Sequence, residues 1–186
     1  MHPVYVVRHG ESTWNALGIM QGQTVHPALT ARGRQQSADA AHSLQALLEP
    51  GVPVHVRSSD LRRAAQTAQI VASSVGADVR VDERLRERSL GRLEGSPRAA
   101  AMGSLLALAV HESPPGGESL TQVAHRITSS LLDLDRTVVN VVVTHGEAIL
   151  AVSELLEGPT TGSGRTVGNG EILLVSADSQ IRHEAP

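Results

Sequence analysis

Two histidines of this chain follow apolar runs of similar character. The run Pro3–His9 leads into Gly10-Glu11, and Val138–His145 leads into Gly146-Glu147. In open α/β sheets ligands bind beyond the carboxyl ends of the strands, where a glycine lets the backbone turn tightly and approach a ligand. A single histidine at a strand end is more often structural, but two matched His-Gly pairs indicate one shared site.

The basic residues limit the chemistry of such a site. All 16 basic side chains are arginines, and the chain has no cysteine. The absence of lysine excludes a lysine-dependent phosphate loop and Schiff-base catalysis, and the absence of cysteine excludes thiolate nucleophiles. An anion site must therefore consist of arginine, histidine and backbone N–H groups. Arginine also has the planar fork that binds phosphate through paired hydrogen bonds.

The elements that would position these residues follow from the hydrophobic pattern. Short β-branched runs predict strands of a largely buried sheet, and helical periodicity predicts helices between them. The predicted strands are Pro3–His9, Val54–Ser58, Val79–Asp82, Val138–His145 and Ile172–Ser176, and the predicted helices are Thr30–Glu49, Ser59–Ser74, Glu118–Leu134 and Glu147–Leu156. This alternation predicts an α/β three-layer sandwich with a mainly parallel sheet flanked by helices, and residues 1–186 are expected to form a single domain.

The first predicted helix carries local signals for its start and its inner face. Thr30 is a suitable N-cap. The apolar positions expected to pack inward are Ala38, Ala41, Leu44 and Leu48. Loop residues concentrate at 112–117 and 158–164, and neither stretch is long enough to separate two domains.

The composition argues against several classes of partner. Aromatic residues make up 1% of the chain, with Tyr5 and Trp14 alone, so a surface that stacks nucleic-acid bases is not available. A net charge of −3 also disfavours nucleic acid, and no apolar run is long enough to span a membrane. Without a recognisable targeting segment, the cytoplasm is the expected location.

Several motifs occur together in one order along the chain. They are Arg8–Asn15 (RHGESTWN), Gln21-Gly22, Leu29–Gly33 (LTARG), Ser59–Ala64 (SDLRRA), Leu85–Glu87 with Gly91 and Leu93–Gly95, Pro115–Ser119 (PGGES) and Thr144–Gly146. In these motifs the chain resembles the histidine phosphatase superfamily, also called the phosphoglycerate mutase-like family. The resemblance covers nearly the whole length.

The resemblance implies a phosphate site with a histidine nucleophile. Arg8, Arg63 and His145 would bind the phosphate and neutralise its charge, and His145 would do so as an imidazolium held by the anion. His9 would attack in its neutral form, which a pKa near ~6.5 makes accessible, and form a phosphohistidine that water then hydrolyses. Adjacent helical residues do not share a face, and the family register selects Arg63 over Arg62.

The proton donor implied by the resemblance is Glu87. An alkoxide is a poor leaving group, so Glu87 would protonate it and later deprotonate the attacking water. The alternative is that the run Asp82–Arg88 is only a solvated stretch of charge. Motif position favours Glu87 over Glu83.

Further contacts are implied by resemblance alone. These are Asn15, Gln21, Gly22, and the backbone amides near Gly146 and Glu147. The carboxyl of Glu147 has two open interpretations, since it could repel acidic substrates or orient His145.

These observations predict a metal-independent phosphomonoesterase without a cofactor, acting on a small-molecule phosphate monoester. Mutases of the family have a longer, basic segment where residues 96–113 are short and apolar with Arg98 as their one cation. This favours hydrolysis of a monoester with a modest or partly apolar remainder. The alternatives are a phosphoglycerate mutase, a non-catalytic phospho-ligand binding module and, more distantly, a dinucleotide-binding domain. The oligomeric state stays open, with a homodimer common among relatives.

Overall fold

The computed structural model describes residues 2–157, 166–175 and 181–183, the last three and residues 154–157 by their backbone. Six strands form one sheet in the order β3-β2-β4-β1-β5-β6. They are β1 (Val4–Arg8), β2 (Val54–Ser58), β3 (Val79–Val81), β4 (Val139–Thr144), β5 (Ile172–Val175) and β6 (Ile181–His183). Strands β3, β2, β4 and β1 run parallel, and β5 is antiparallel to β1 and to β6.

The helices cover both faces of the sheet. They are α1 (Thr13–Ala16), α2 (Ala31–Leu47), α3 (Arg62–Val75), α4 (Arg98–Leu106), α5 (Leu120–Leu132) and α6 (Gly146–Glu157), with 3-10 turns at Glu83–Leu85 and Gly91–Leu93. Helices α2 and α3 share one buried cluster with Tyr5 and Val7, whereas α5 and α6 share another with Val4 and Val6. Alternate residues of a strand point to opposite faces, so the predicted three-layer α/β sandwich is confirmed.

The two central strands end at the same level. Arg8 of β1 is paired with Thr144 of β4 in parallel register, and the His9 N–H donates to the Thr144 carbonyl at 3.0 Å. All six residues of β4 are buried. The register therefore sets His9 and His145 side by side at the carboxyl edge of the sheet.

The inner face of α2 and the start of α3 differ from the sequence prediction. The Thr30 side chain caps α2 through the Gly33 N–H, as predicted, but Ala38 is exposed and Ala40 is buried in its place. Helix α3 starts at Arg62 rather than Ser59, because the Ser59 hydroxyl accepts from the Leu61 N–H in the preceding turn.

Helix α5 also starts later than predicted. It begins after Ser119, which forms a reciprocal capping pair with Gln122, and not at Glu118. The Glu118 carboxylate is bound instead to the guanidinium of Arg126.

Helix α4 has no counterpart in the sequence prediction. Its Ala101 and Leu105 form a third apolar cluster with Met20 and Leu90, which brings the helix over the carboxyl edge of the sheet. The predicted loop at 112–117 is irregular as expected, whereas the loop at 158–164 and Ser176, the end of a predicted strand, lie outside the described residues. Within the described part of the chain, no helix has the length and apolar character needed to cross a bilayer.

Candidate active site

A pocket that opens to solvent lies at the carboxyl edge of the sheet. Nine of the ten residues predicted for the site line it, namely Arg8, His9, Asn15, Gln21, Gly22, Arg63, Glu87, Gly146 and Glu147. The tenth, His145, is fully buried beside it, with its ring centroid 5.1 Å from that of His9. The structure thus brings all the predicted residues together, from the end of β1, from helices α1, α3 and α6, and from the loops that connect these elements.

The imidazole of His9 has a fixed tautomer. Its Nδ1 lies 2.7 Å from the Gly10 carbonyl oxygen, and a carbonyl can only accept, so Nδ1 carries the proton. The lone pair therefore resides on Nε2. Burial, followed by the charges of Arg63 and Arg8, lowers the His9 pKa well below its ordinary value, which keeps the ring neutral.

The loop of His9 packs directly against α2. A Cβ added to Gly10 would lie 2.1 Å from the Gly33 carbonyl oxygen, and one added to Gly33 would lie 2.0 Å from the Glu11 carbonyl oxygen. Neither position has room for a side chain, which fixes the loop of His9 against the helix.

The buried basic side chains of the site have unused donors. Among the described residues, six buried side-chain polar atoms have no hydrogen-bond partner, and four of them are Arg8 Nε, Arg63 Nε and both ring nitrogens of His145. Burying such groups unpaired is costly. An anion bound between them would accept from the two arginine Nε–H groups and from one ring N–H of His145, so the cluster has the character of an oxyanion site.

The two arginines are held by backbone carbonyls. The Arg63 side chain, 0% exposed, donates from Nη1 to Thr24 O at 3.0 Å and from Nη2 to Gly22 O at 2.8 Å. Burial lowers its pKa to about 10, which leaves it charged at neutral pH. Arg8 donates to the Val167 carbonyl. Arg62, which the family register leaves out of the site, is exposed.

The imidazole of His145 is neutral when it is surrounded by protein groups alone. Burial, and then the charge of Arg63, lowers its pKa well below the ordinary value. The predicted imidazolium therefore requires a bound anion to stabilise it.

Glu87 is held at the N-terminus of α6. Its Oε1 accepts from the N–H groups of Arg88 and Ala148, each at 3.0 Å, and its Oε2 lies 3.3 Å from the Glu147 N–H. The Glu147 N–H, which was predicted to contact phosphate, faces the carboxyl of Glu87 in this structure. The rival acid Glu83 is a surface residue, with a side chain 72% exposed and 3.3 Å from Arg86.

Asn15, Gln21 and Ser12 form a small polar network at the pocket wall. The Ser12 hydroxyl lies 3.1 Å from Asn15 Oδ1 and 2.7 Å from Gln21 Oε1. Since Asn15 Oδ1 also accepts from the Ser12 N–H, its NH₂ group is the part that can donate to a phosphate. The neighbouring half-buried Trp14 meets the His26 ring edge-on at 5.1 Å.

The segment that carries Glu87 is held from behind by Arg126 of α5. Its guanidinium donates to the carbonyls of Arg84, Arg86 and Glu87 and to the Glu118 carboxylate. Arg126 was not among the residues predicted for the site. One signal in the sequence could have found it. Arg126 adjoins Ile127 and follows Val123 by three residues, so it is a cation on the apolar side of a predicted helix.

The rest of the pocket is mainly apolar. Its lining there comprises Ile19, Met20, Leu90, Leu150, Thr166, Val167 and Arg98, together with the side of Glu147. Of this set, Arg98 and Glu147 were singled out in the sequence. Among the described residues, no group of three His, Asp or Glu side chains has the arrangement of a metal site.

Comparison with known proteins gives consistent matches along the chain. The family profile "Histidine phosphatase superfamily (branch 1)" matches residues 4–180. A probable phosphoglycerate mutase of Salmonella paratyphi B is 35% identical over 181 residues, which cover 89% of this chain and 80% of that protein.

Solved structures match over almost the whole chain. A mycobacterial glucosyl-3-phosphoglycerate phosphatase complexed with VO3 is 32% identical, with a TM-score of 0.83 over 100% of this chain and 98% of that one. A structure from Thermus thermophilus is 30% identical, with a TM-score of 0.76 over 99% of both chains.

Proposed function

The chain belongs to branch 1 of the histidine phosphatase superfamily, a family of phosphatases and mutases, and we propose that it is a phosphomonoesterase using His9 as nucleophile. The observation that carries the proposal is the set of unpartnered nitrogens of Arg8, Arg63 and His145 around a neutral His9. They offer positive charge and hydrogen bonds where a phosphoryl group would gather negative charge.

In the first step, the lone pair of His9 Nε2 attacks phosphorus, and the bond from phosphorus to the ester oxygen breaks. The Nδ1–H bond to Gly10 O stabilises the positive charge that the ring acquires. Glu87, at the wall of the same pocket, gives its proton to the departing oxygen, so that an alcohol leaves rather than an alkoxide.

In the second step, water attacks phosphorus on the phosphohistidine. The Glu87 carboxylate takes the proton of that water, and the N–P bond breaks to return neutral His9. Inorganic phosphate leaves, and Glu87 is protonated again for the next cycle. The covalent intermediate divides one difficult displacement into two easier ones.

Hydrolysis is favoured over mutase chemistry by the α4 side of the pocket. A mutase must hold a second phosphate, and Arg98 is the one cation of residues 96–113. Most of that wall is apolar, from Met20, Leu90 and Leu150. This supports a phosphate ester with a modest, partly apolar alcohol part.

The test is a phosphate-release assay on 4-nitrophenyl phosphate and a panel of metabolite monoesters, with and without a chelator. We expect turnover that the chelator does not change. Full dependence on added divalent metal would contradict the mechanism. Interconversion of 2- and 3-phosphoglycerate with a bisphosphate primer would favour the mutase, and tight phosphate binding without turnover of any ester would favour the binding module.

A further inference from the structure

Glu147 has an unusual position for a carboxyl group near an anion site. It lies in the first turn of α6, half-buried at the pocket wall, directly after the His145-Gly146 pair. Its Oε2 is buried and has no hydrogen-bond partner among the described residues. An acidic group beside a phosphate pocket needs a role other than phosphate binding.

Of the two roles left open by the sequence, orientation of His145 is not supported. Both ring nitrogens of His145 have no hydrogen-bond partner among the described residues, so the Glu147 carboxyl does not hold the ring. The carboxyl instead lines the part of the pocket that lies beyond the phosphate-binding residues, with Leu90, Arg98 and Leu150.

The charge around Glu147 is unevenly distributed. Arg88 Nη1 lies 3.7 Å from Glu147 Oε2, but the Arg88 side chain is 4% exposed, is bound to the Glu118 carbonyl, and is not part of the pocket lining. Of the Arg88–Glu147 pair, the Glu147 carboxylate is therefore the member that faces a ligand in the pocket. Arg98 on the α4 side is exposed and more strongly screened by water.

We propose that Glu147 determines leaving-group specificity, favouring monoesters whose alcohol part is uncharged over those whose alcohol part carries an anionic group. This inference rests on the phosphomonoesterase activity proposed above and names the class of substrate for that site. An anionic group placed beside the carboxylate would experience like-charge repulsion inside a partly desolvated pocket.

The discrimination should depend on pH. Burial, and then the charge of Glu87, raises the pKa of Glu147 to about 7, while Arg88 and Arg98 act in the opposite direction. Below that pH the carboxyl is neutral and the repulsion is absent. Above that pH the carboxylate is present, and the preference for monoesters with an uncharged alcohol part reaches its full size.

The experiment compares two aryl phosphates of equal size, 4-carbamoylphenyl phosphate and 4-carboxyphenyl phosphate. Their kcat/KM ratio is measured for the wild type and for Glu147→Gln at pH 6 and pH 8. We expect the wild-type ratio to rise about tenfold in favour of the carbamoyl ester between pH 6 and pH 8. The ratio of Glu147→Gln should stay flat and near the wild-type value at pH 6.

Two further variants locate the effect. Glu147→Asp should keep the pH-dependent preference, and Arg98→Gln should increase it because a favourable charge for the carboxy ester is removed. A wild-type ratio that is equal at both pH values would overturn the proposal even if Glu147→Gln does not fold. Hydrolysis of neither ester by the wild type would overturn the phosphatase activity itself, and this inference with it.

Discussion

Glu118 and Arg126 form a two-pronged ion pair, with Nε 2.9 Å from Oε1 and Nη2 2.8 Å from Oε2. The remaining guanidinium donors bind backbone carbonyls of the segment that ends in Glu87. Glu118 Oε2 also accepts from the Ser89 N–H on the far side of Glu87. The pair therefore fixes the backbone on both sides of the proposed acid without touching the substrate pocket.

Arg126→Met should impair catalysis through the position of Glu87. We expect kcat to fall about 100-fold for an alkyl phosphate and much less for 4-nitrophenyl phosphate, because only the alkyl leaving group requires an accurately placed proton donor. KM should change little, since the arginines proposed to bind phosphate are untouched. The matched control is Arg62→Met, which removes an exposed guanidinium and should leave both rates near wild type. A uniform loss on both esters would mean that Arg126 only stabilises the fold.

His9→Ala should abolish turnover of every ester. Among the residues that line the pocket, His9 is the one imidazole, and its Nε2 lone pair is the atom assigned to attack. The measurement is phosphate release over several hours, with a circular dichroism spectrum to verify folding. Near-normal activity of the variant would assign the nucleophile to another residue.

Glu87→Gln should separate the two steps of the reaction. Alkyl phosphates should lose about 10²- to 10⁴-fold in kcat, whereas aryl phosphates, whose phenolate departs unaided, should lose less. With aryl substrates the slowed hydrolysis should let phosphohistidine accumulate, detectable after a quench as an acid-labile, base-stable label on the protein. Equal losses on both classes of ester, without a trapped label, would mean that Glu87 is not the proton donor and belongs only to the solvated stretch of charge Asp82–Arg88.

The free energy of unfolding should fall as the pH is lowered from 7 to about 5.5. His9 and His145 have pKa values well below 6.5 in the folded state, so the unfolded chain binds protons that the native chain does not. Glu147 acts in the opposite direction, because its pKa of about 7 exceeds the ordinary 4.5. Because two histidines act against one carboxyl, the unfolded chain binds more protons than the native chain below pH 6.5, and the free energy of unfolding falls there.

Urea unfolding at three pH values measures the slope of this free energy against pH. Glu147→Gln should make it steeper, and His145→Gln should flatten it. Stability that rises as the pH falls through 6.5 would contradict the burial of neutral imidazoles.

The pairing of His9 with His145 could be predicted because it depends on local patterns and one general rule. Each histidine follows a Val-rich strand, and parallel strands bring their carboxyl ends to one edge. The α/β alternation was predictable for the same reason, since helix and strand periodicities differ clearly in this chain.

The missed features depend on long-range contacts. Helix α4 is alanine-rich and weakly amphipathic, and it is held by Met20 and Leu90 from distant segments. The contacts of the Glu87 carboxyl with α6, and of Arg126 with the backbone carbonyls, join residues that are 39 or more positions apart. Such contacts leave no periodic pattern in the sequence.

Trp14, which meets the ring of His26 edge-on, is an intrinsic fluorescence probe of the protein. Trp14 is the single tryptophan of the chain, and its neighbour Asn15 lines the pocket of the candidate active site. The fluorescence of the whole molecule therefore originates almost entirely from one indole beside the site. Ligand binding can be followed in the unlabelled, unmutated enzyme, without an assay for the chemical step.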